Sequence, residues 1–136
     1  MNTLPDAPAS LTENVIACAI AVHEQLGPGF LERVYQRCFE LELRAVGFQF
    51  EQQRTIPLMY RGTRVNAAYR FDFVIEGSVL VEVKAVETLL RVHQAQVINY
   101  LKLTGIPVGL LINFNVPLLK DGLRRLEHPS LYSRNK

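Results

Sequence analysis

Residues 70–85 read RFDFVIEGSVLVEVKA, two short runs of β-branched and aromatic residues on either side of a connection at 76–78. This pattern is typical of a β-hairpin with a short turn. Three charged residues interrupt the apolar runs: Asp72 lies in the first run, and Glu82 and Lys84 lie in the second. The stretch therefore predicts two neighbouring strands with charges set among residues suited to a core.

The register of this hairpin decides where the charges meet. Side chains two residues apart on a strand share a face, so Glu82 and Lys84 point the same way. With an odd-numbered connection, such as the three residues 76–78, Asp72 lies directly across from Glu82. A two-residue turn would place Asp72 opposite Val83 and send Glu82 to the other face. One register thus gathers two carboxylates and an ammonium on one patch of the sheet.

Such a patch has two interpretations. Charged side chains are rarely buried unless they are paired or bind a metal ion. Two adjacent carboxylates repel each other, and a divalent cation is the usual remedy. A lysine beside them can hold a water molecule or offset charge in a transition state. The alternative is a solvent-facing hairpin with an ordinary salt bridge, and the hairpin alone leaves both open.

Length and composition predict one folded domain. The chain has 136 residues, of which 49% are hydrophobic and 21% charged, which is ordinary for a globular protein. We expect a single domain over residues 1–136, with a loose arm at 1–9 and a loose tail at 127–136. The net charge of +2 is modest for a nucleic-acid binder, although the last residues are basic.

Targeting signals are not visible in the sequence. No apolar run approaches the length of a membrane span, and the first residues lack the pattern of a secretory signal. We therefore expect a cytoplasmic protein. Cys18 and Cys38 fall on predicted helices among apolar neighbours, so free thiols are expected there rather than a disulfide. No Cys/His set has zinc spacing, and no glycine-rich phosphate loop is present.

The order of the predicted elements indicates an α/β domain. Helical periodicity covers residues 10–26 and 31–46, strand-like alternation covers 48–60, and a further helix follows the hairpin at 91–104. The uninterrupted apolar run at 108–112 suits a central strand, paired in parallel with the strand of Glu82. Residues 122–126 provide an edge strand. We expect a mixed central sheet of about five strands flanked by helices, in the order α, α, β-meander, α, β.

The second predicted helix carries two carboxylates of interest. Glu32 lies in its first turn at the edge of the apolar arc, where the helix dipole favours an acid. Glu42 lies near the middle of that arc, so it needs a partner such as His23 or an arginine. Gln36 is assigned to the solvent side of the helix.

The helix after the hairpin carries polar residues on the face expected to contact the sheet. These are His93, Gln96 and Tyr100. One interpretation is a core helix with a buried tyrosine and its hydrogen-bond partners. The other is that Gln96 and Tyr100 orient the lysine, a water molecule or a phosphate beside the hairpin charges.

Three motifs together resemble a known family. Asp72, followed by Glu82-Val83-Lys84 after a short hairpin, resembles the PD-(D/E)XK nuclease signature, with phenylalanine in place of the nominal proline. The segment GFLERVY at 29–35 resembles the name-giving motif of the GxxExxY family, a branch of that superfamily. HQAQ at 93–96, with a tyrosine four residues on, resembles that family's later motif and the QxxxY element of RecB-like nucleases. The resemblance runs in order from about residue 22 to about residue 126.

The resemblance implies a PD-(D/E)XK nuclease-like core. It also implies a metal-dependent nuclease that hydrolyses phosphodiester bonds in nucleic acid, with DNA as the favoured substrate. It implies that Asp72, Glu82 and the Val83 carbonyl hold one or two Mg²⁺ or Mn²⁺ ions, with Glu32 as a further ligand. Among the remaining catalytic residues, Lys84 would orient the attacking water or stabilise charge.

The same resemblance makes Gln96 and Tyr100 positioning groups of the catalytic site. The partner it implies is nucleic acid, not a membrane, and a homodimer or a protein partner stays open. The competing hypothesis is a non-catalytic module that retains the fold and binds nucleic acid or another protein.

Overall fold

Two helices open the described part of the chain, which spans residues 9–133 in this computed structural model; the side chains of 67, 68, 132 and 133 lie outside the description. The elements in chain order are α1 (Ala9–Leu26), α2 (Glu32–Val46), β1 (Phe50–Tyr60), β2 (Thr63–Ile75), β3 (Val79–Lys84), α3 (Arg91–Thr104), β4 (Val108–Asn113), α4 (Leu119–Gly122), β5 (Leu123–Glu127) and α5 (Pro129–Ser133). The predicted order of helices and strands is confirmed, with α4 and α5 added.

The strands form one mixed sheet in the order β1-β2-β3-β4-β5. Strands β3 and β4 are parallel, joined through α3, and the other neighbouring pairs are antiparallel. All six residues of β4 are buried, because helices cover both faces of the sheet at this position. That double burial explains its unbroken apolar run. The five strands, the parallel crossover and the edge strand at 123–127 agree with the expected α/β fold.

The central hairpin has the odd-numbered register. Ile75 pairs with Val79, and Phe73 pairs with Val81, so the connection is the three residues 76–78. Extending these pairs by one residue places Asp72 opposite Glu82. The register that gathers the charged residues is therefore the one the chain adopts.

Separate cores lie on the two faces of the sheet. Helices α1 and α2 cover one face, where Val22 and Phe39 pack against Phe73 and its neighbours. Helix α3 covers the other face, where Leu101 packs with the other side of β2, β3 and β4. Helix α3 approaches β4 so closely that a Cβ on Gly109 would lie 2.5 Å from a methyl group of Val97. The strand there needs the smallest residue.

The turn between α1 and α2 depends on Tyr35. Its hydroxyl donates a hydrogen bond to the Gly27 carbonyl and accepts one from the Phe30 amide at 3.2 Å. The ring is fully buried and stacks on Phe114, with 4.8 Å between centroids. These bonds fix the angle at which α2 begins, so Tyr35 sets the direction of the first turn, where Glu32 lies.

Two smaller expectations meet the structure differently. Cys18 and Cys38 are both free, as predicted. In the tail expected to be loose from residue 127, residues 129–133 form α5 and Leu131 is 1% exposed, while residues 134–136 lie outside the description. An apolar anchor in a short polar segment explains the difference. Residues 1–8 of the expected arm lie outside the description, and Ala9 begins α1.

Within residues 9–133, no helix is both long and apolar enough to cross a bilayer.

Tyr35→Phe tests the role of the hydroxyl in the helix turn. The change leaves a partly buried carbonyl without its donor, so we expect the free energy of unfolding to fall by about 1–2 kcal/mol in urea titrations. Tyr60→Phe is a matched control, because it removes the same atom from a residue that is 60% exposed. That control should change stability by less than about 0.5 kcal/mol. Equal losses in the two variants would contradict the assigned role.

Candidate active site

The candidate site begins where the β2–β3 ladder ends. The last backbone pair on this side is Phe73 with Val81. Beyond it each strand bonds to a carboxylate of the other: the Asp72 amide donates to Glu82 Oε1, and the Val83 amide donates to Asp72 Oδ2, both at 2.8 Å. The carboxylates thus take the place of backbone carbonyls, and they hold the strand ends together while the ladder opens.

The strand is irregular at this point. Asp72 accepts a hydrogen bond from Gln36 of α2, and the next residue, Phe73, packs its ring edge-on against Phe39 of the same helix, with 5.1 Å between centroids. Successive residues of a regular strand face opposite sides. Two consecutive side chains on the α2 side therefore mark a local distortion, and it is this distortion that brings Asp72 between α2 and β3.

Strand β1 is distorted beside Asp72 as well. Gln53 has φ of 56°, a left-handed conformation that is uncommon for a residue other than glycine. The nitrogen of its side-chain amide, Nε2, lies 3.5 Å from Asp72 Oδ1. Such backbone strain persists where the surrounding structure requires it, and it concentrates at functional sites. Here the strain turns a neutral donor toward a buried carboxylate.

Helix α2 contributes two residues to the site. Glu32 and Gln36 are one helical turn apart, and the Gln36 amide donates to Glu32 at 3.4 Å and to Asp72 at 3.2 Å. Gln36 was assigned to the solvent side, which is wrong, because α2 crosses the open end of the ladder and that side of the helix faces Asp72. Its position four residues after Glu32 is the sequence signal that could have identified it.

Lys84 supplies the nearest positive charge. It ends β3 and is half-buried. Its ammonium lowers the pKa of Asp72, Glu82 and Glu32, but burial outweighs this effect and the pKa of each acid is still raised. Within residues 9–133, however, its side chain makes no salt bridge. The lysine thus offsets the carboxylates at a distance and does not neutralise any one of them by contact.

Burial dominates the electrostatics of the two central acids. Asp72 is 8% exposed and Glu82 is 5% exposed. Burial, then the negative charge of Asp72, raises the pKa of Glu82 to about 8. Burial also raises the pKa of Asp72, against the lowering effects of the Val83 amide and the Lys84 ammonium. Burial raises the pKa of Glu32 too. Burial therefore disfavours the charged form of all three acids, and the Lys84 ammonium offsets that effect only in part.

Helix α3 brings Tyr100 to the site, whereas Gln96 makes no hydrogen bond there within the described residues. Tyr100 is 6% exposed and its hydroxyl donates to the Arg70 carbonyl at 3.3 Å. Burial, then the charges of Glu82 and Asp72, raises the pKa of Tyr100. Gln96 is half-buried, and among the described residues no hydrogen bond joins it to Lys84 or Glu82. The positioning roles of both residues stay predictions.

The Val83 carbonyl lies at the open end of the β2–β3 ladder. The amide and carbonyl of one strand residue point to the same edge, so the Val83 carbonyl faces β2, where the ladder has ended.

Asn113 of β4 is 2% exposed, and its side chain bonds both the amide and the carbonyl of Val86 at 3.0 and 2.9 Å. This clamp fixes the chain directly after Lys84.

Three other polar residues from the sequence analysis make contacts elsewhere or hydrogen-bond the backbone. Burial, then the charge of Glu42, raises the pKa of the Cys18 thiol, so Glu42 lies near α1. His23 bonds the Val116 carbonyl at 2.7 Å. His93 accepts a bond from the Leu90 amide at 2.9 Å and so caps α3.

The residues fit a hard divalent cation, although the described part of the chain contains no group of three or more His, Cys, Asp and Glu side chains arranged to hold a metal ion. Asp72 and Glu82 offer carboxylate oxygens, and the second oxygen of Glu82 has no hydrogen-bond partner among the described residues. Mg²⁺ prefers oxygen ligands and keeps several waters, so it is commonly bound by one or two carboxylates. The donor set here meets that requirement.

One comparison with known proteins identifies a family for the chain. A family model described as the PD-(D/E)XK nuclease superfamily matches residues 9–126. Searches of curated proteins and of solved structures each found no match. The matched range contains every element that contributes a residue to the site.

Asp72→Asn separates a repelling pair from a structural ion pair. At about pH 9, where Glu82 is ionised, the variant keeps the shape and relieves repulsion with Glu82, so without metal the free energy of unfolding should stay unchanged or rise by about 1 kcal/mol. Urea titrations in EDTA measure it. If Asp72 instead stabilised the fold by pairing with Lys84 or Arg70, its neutralisation would lower stability by up to several kcal/mol.

Glu82→Gln tests the raised pKa of Glu82. The pKa in the folded state, about 8, lies above the unfolded value near 4.5. Glu82 therefore contributes its full stability below the unfolded pKa, and the contribution is lost as pH rises through about 8. In EDTA, the wild type should lose stability relative to Glu82→Gln between about pH 5 and about pH 9. Urea titrations across that range giving parallel curves would contradict the shift.

Proposed function

The chain belongs to the PD-(D/E)XK nuclease superfamily, and on that premise we propose that it is a metal-dependent nuclease that hydrolyses phosphodiester bonds in DNA. The observation that carries the proposal is the buried pair of Asp72 and Glu82. Each accepts a backbone amide of the other's strand, and no salt bridge neutralises either acid in the described structure. A pair arranged only for stability would have a cation in contact.

The proposed metal ligands are Asp72, Glu82 and the Val83 carbonyl, with Glu32 as an additional ligand for Mg²⁺ or Mn²⁺. When bound, the ion supplies a water of lowered pKa and neutralises charge on the scissile phosphate. Because Gln36 donates to both Glu32 and Asp72, it holds the two acids at a defined separation. The side-chain nitrogen of Gln53 also lies 3.5 Å from the same oxygen of Asp72.

Lys84 and α3 complete the proposed catalytic group. Since Lys84 makes no salt bridge with the described residues, its ammonium is available to orient the attacking water or to stabilise charge that develops on the phosphate. Tyr100 lies close enough for the charge of Glu82, after burial, to raise its pKa. Its hydrogen bond to the Arg70 carbonyl is proposed to position the backbone just before Asp72. Gln96, one turn earlier on the helix, is proposed to reach the substrate.

The finer assignment is to the GxxExxY branch of the superfamily. Two residues of its motif at residues 29–35 have structural roles that support this assignment. Tyr35 anchors the turn before α2, and Glu32 lies beside Asp72. The competing function is a non-catalytic module that binds nucleic acid. The intact set of Asp72, Glu82 and Lys84 favours catalysis.

Cleavage of labelled duplex DNA tests the proposal. With Mg²⁺ or Mn²⁺ the wild type should cleave, EDTA should stop the reaction, and Asp72→Ala, Glu82→Ala and Lys84→Ala should each lower the rate by at least about a hundredfold. Glu42→Gln is the matched control, because it removes a carboxylate that lies beside Cys18 and outside the site. It should retain activity within about twofold.

Melting curves give a second readout that is independent of turnover. Mg²⁺ should raise the melting temperature of the wild type, because a ligand that binds only the folded state stabilises it. Asp72→Asn should lose most of that rise. A wild type that binds DNA, ignores the metal and does not cleave would support the non-catalytic module instead.

A further inference from the structure

The hairpin of β1 and β2 extends well past the rest of the sheet. Strand β1 has 11 residues and β2 has 13, whereas β3 has only 6. The β1–β2 pairing continues to Tyr60 and Thr63, but β2 has no ladder pair with β3 before Phe73. The hairpin therefore leaves the sheet at Asp72, at the end where the proposed active site lies.

The root of this projecting ribbon is supported, and its tip is free. Helix α3 holds the root, where the rings of Tyr69 and Tyr100 meet edge-on with 4.8 Å between centroids. The ribbon tip, residues 59–66, is exposed at all eight positions. At about 3.4 Å per strand residue, Arg64 lies roughly 27 Å along β2 from Asp72. The tip is thus placed to contact a substrate well beyond the reacting phosphate.

The charged residues of the ribbon are all basic. Residues 56–71 contain Arg61, Arg64 and Arg70 and no aspartate or glutamate. None of these three arginines has a salt-bridge partner in the part of the chain that the structure describes. Arg61 lies over the Tyr60 ring at 5.7 Å, which stiffens the turn. A basic ribbon without acids complements a phosphate backbone.

The shape of the ribbon selects among nucleic acids. A two-stranded ribbon fits the major groove of B-form DNA, about 12 Å wide. The major groove of duplex RNA is too narrow and deep for side chains to read. Single strands are bound on successive aromatic rings, whereas the tip carries only one, Tyr60. The geometry favours duplex DNA.

We propose that the ribbon tip lies in a groove of duplex DNA and that Arg61 and Arg64 bind its phosphates, on the side of the site where β2 leaves the sheet. This deepens the proposed function and rests on it for the position of the scissile bond. The ribbon would hold the duplex about two-thirds to one helical turn away from the reacting phosphate, given the roughly 27 Å reach and about 34 Å per turn.

Fluorescence anisotropy with the full chain in EDTA tests the ribbon without cleavage. The probes are a labelled 30-base-pair DNA duplex, one of its strands alone, and RNA duplex of the same sequence. The double variant Arg61→Asn with Arg64→Gln removes both charges, and asparagine tolerates the left-handed backbone at position 61, where φ is 48°. Duplex DNA affinity should fall at least about tenfold, with the salt slope reduced by about 2.

Two control variants isolate the charge and the place. Arg61→Lys with Arg64→Lys keeps both charges and should retain affinity within about threefold. Lys120→Gln with Arg124→Gln removes two exposed charges at the opposite edge of the sheet, and it should change affinity less than about threefold. Far-ultraviolet circular dichroism and melting curves confirm that each variant is folded.

Several results would overturn the ribbon proposal. These are unchanged duplex affinity in the neutral variant, tighter binding of the single strand or of duplex RNA, and a wild-type dimer in sedimentation that the neutral variant dissociates. The last would show a second copy on the ribbon. Failure of the nuclease proposal looks different, because cleavage would be absent while duplex binding still depended on Arg61 and Arg64.

Discussion

Two hydrogen bonds from backbone amides to carboxylates hold the centre of this protein: the Asp72 amide to Glu82, and the Val83 amide to Asp72. In an ordinary hairpin these amides would bond to carbonyls of the neighbouring strand. Because side-chain oxygens take that place, the ladder can end while its last polar groups remain paired. The opening that results allows α2 to reach Asp72 and allows the β1–β2 ribbon to leave the sheet.

The same bonds create an electrostatic cost that the rest of the site only partly offsets. Burying a carboxylate is unfavourable unless it is paired, and burying two side by side adds repulsion. The carboxylates receive hydrogen bonds from neutral donors, the side-chain amides of Gln36 and Gln53. The nearby lysine makes no salt bridge among the described residues. Neutral donors orient a carboxylate without cancelling its charge. A site arranged in this way retains attraction for a cation, which is the physical link between the hairpin and the proposed chemistry.

Much of this arrangement could be predicted from local sequence. The apolar runs around residues 76–78 predicted the hairpin, and the even spacing of Glu82 and Lys84 put them on one side of a strand. Gln36 was missed because helical periodicity assigns it to the polar arc of α2, and periodicity does not say what lies opposite that arc. Gln53 was missed for a related reason, since the left-handed conformation that turns it toward Asp72 leaves no mark in the sequence. The buried Leu131 was missed because one leucine in a polar tail carries little signal.

The sequence by itself determined the elements and their order, the parallel pairing of β3 with β4, and the residue types that could do chemistry, because periodicity and apolar runs act over short distances. Only the tertiary structure decided that the ladder would end at Asp72, that α2 would cross that opening, and that the basic ribbon would project from the same end. Those outcomes depend on the crossing angle of a helix over a sheet and on a strand distortion, both of which arise when several elements pack together. They set which of many polar side chains share one buried site.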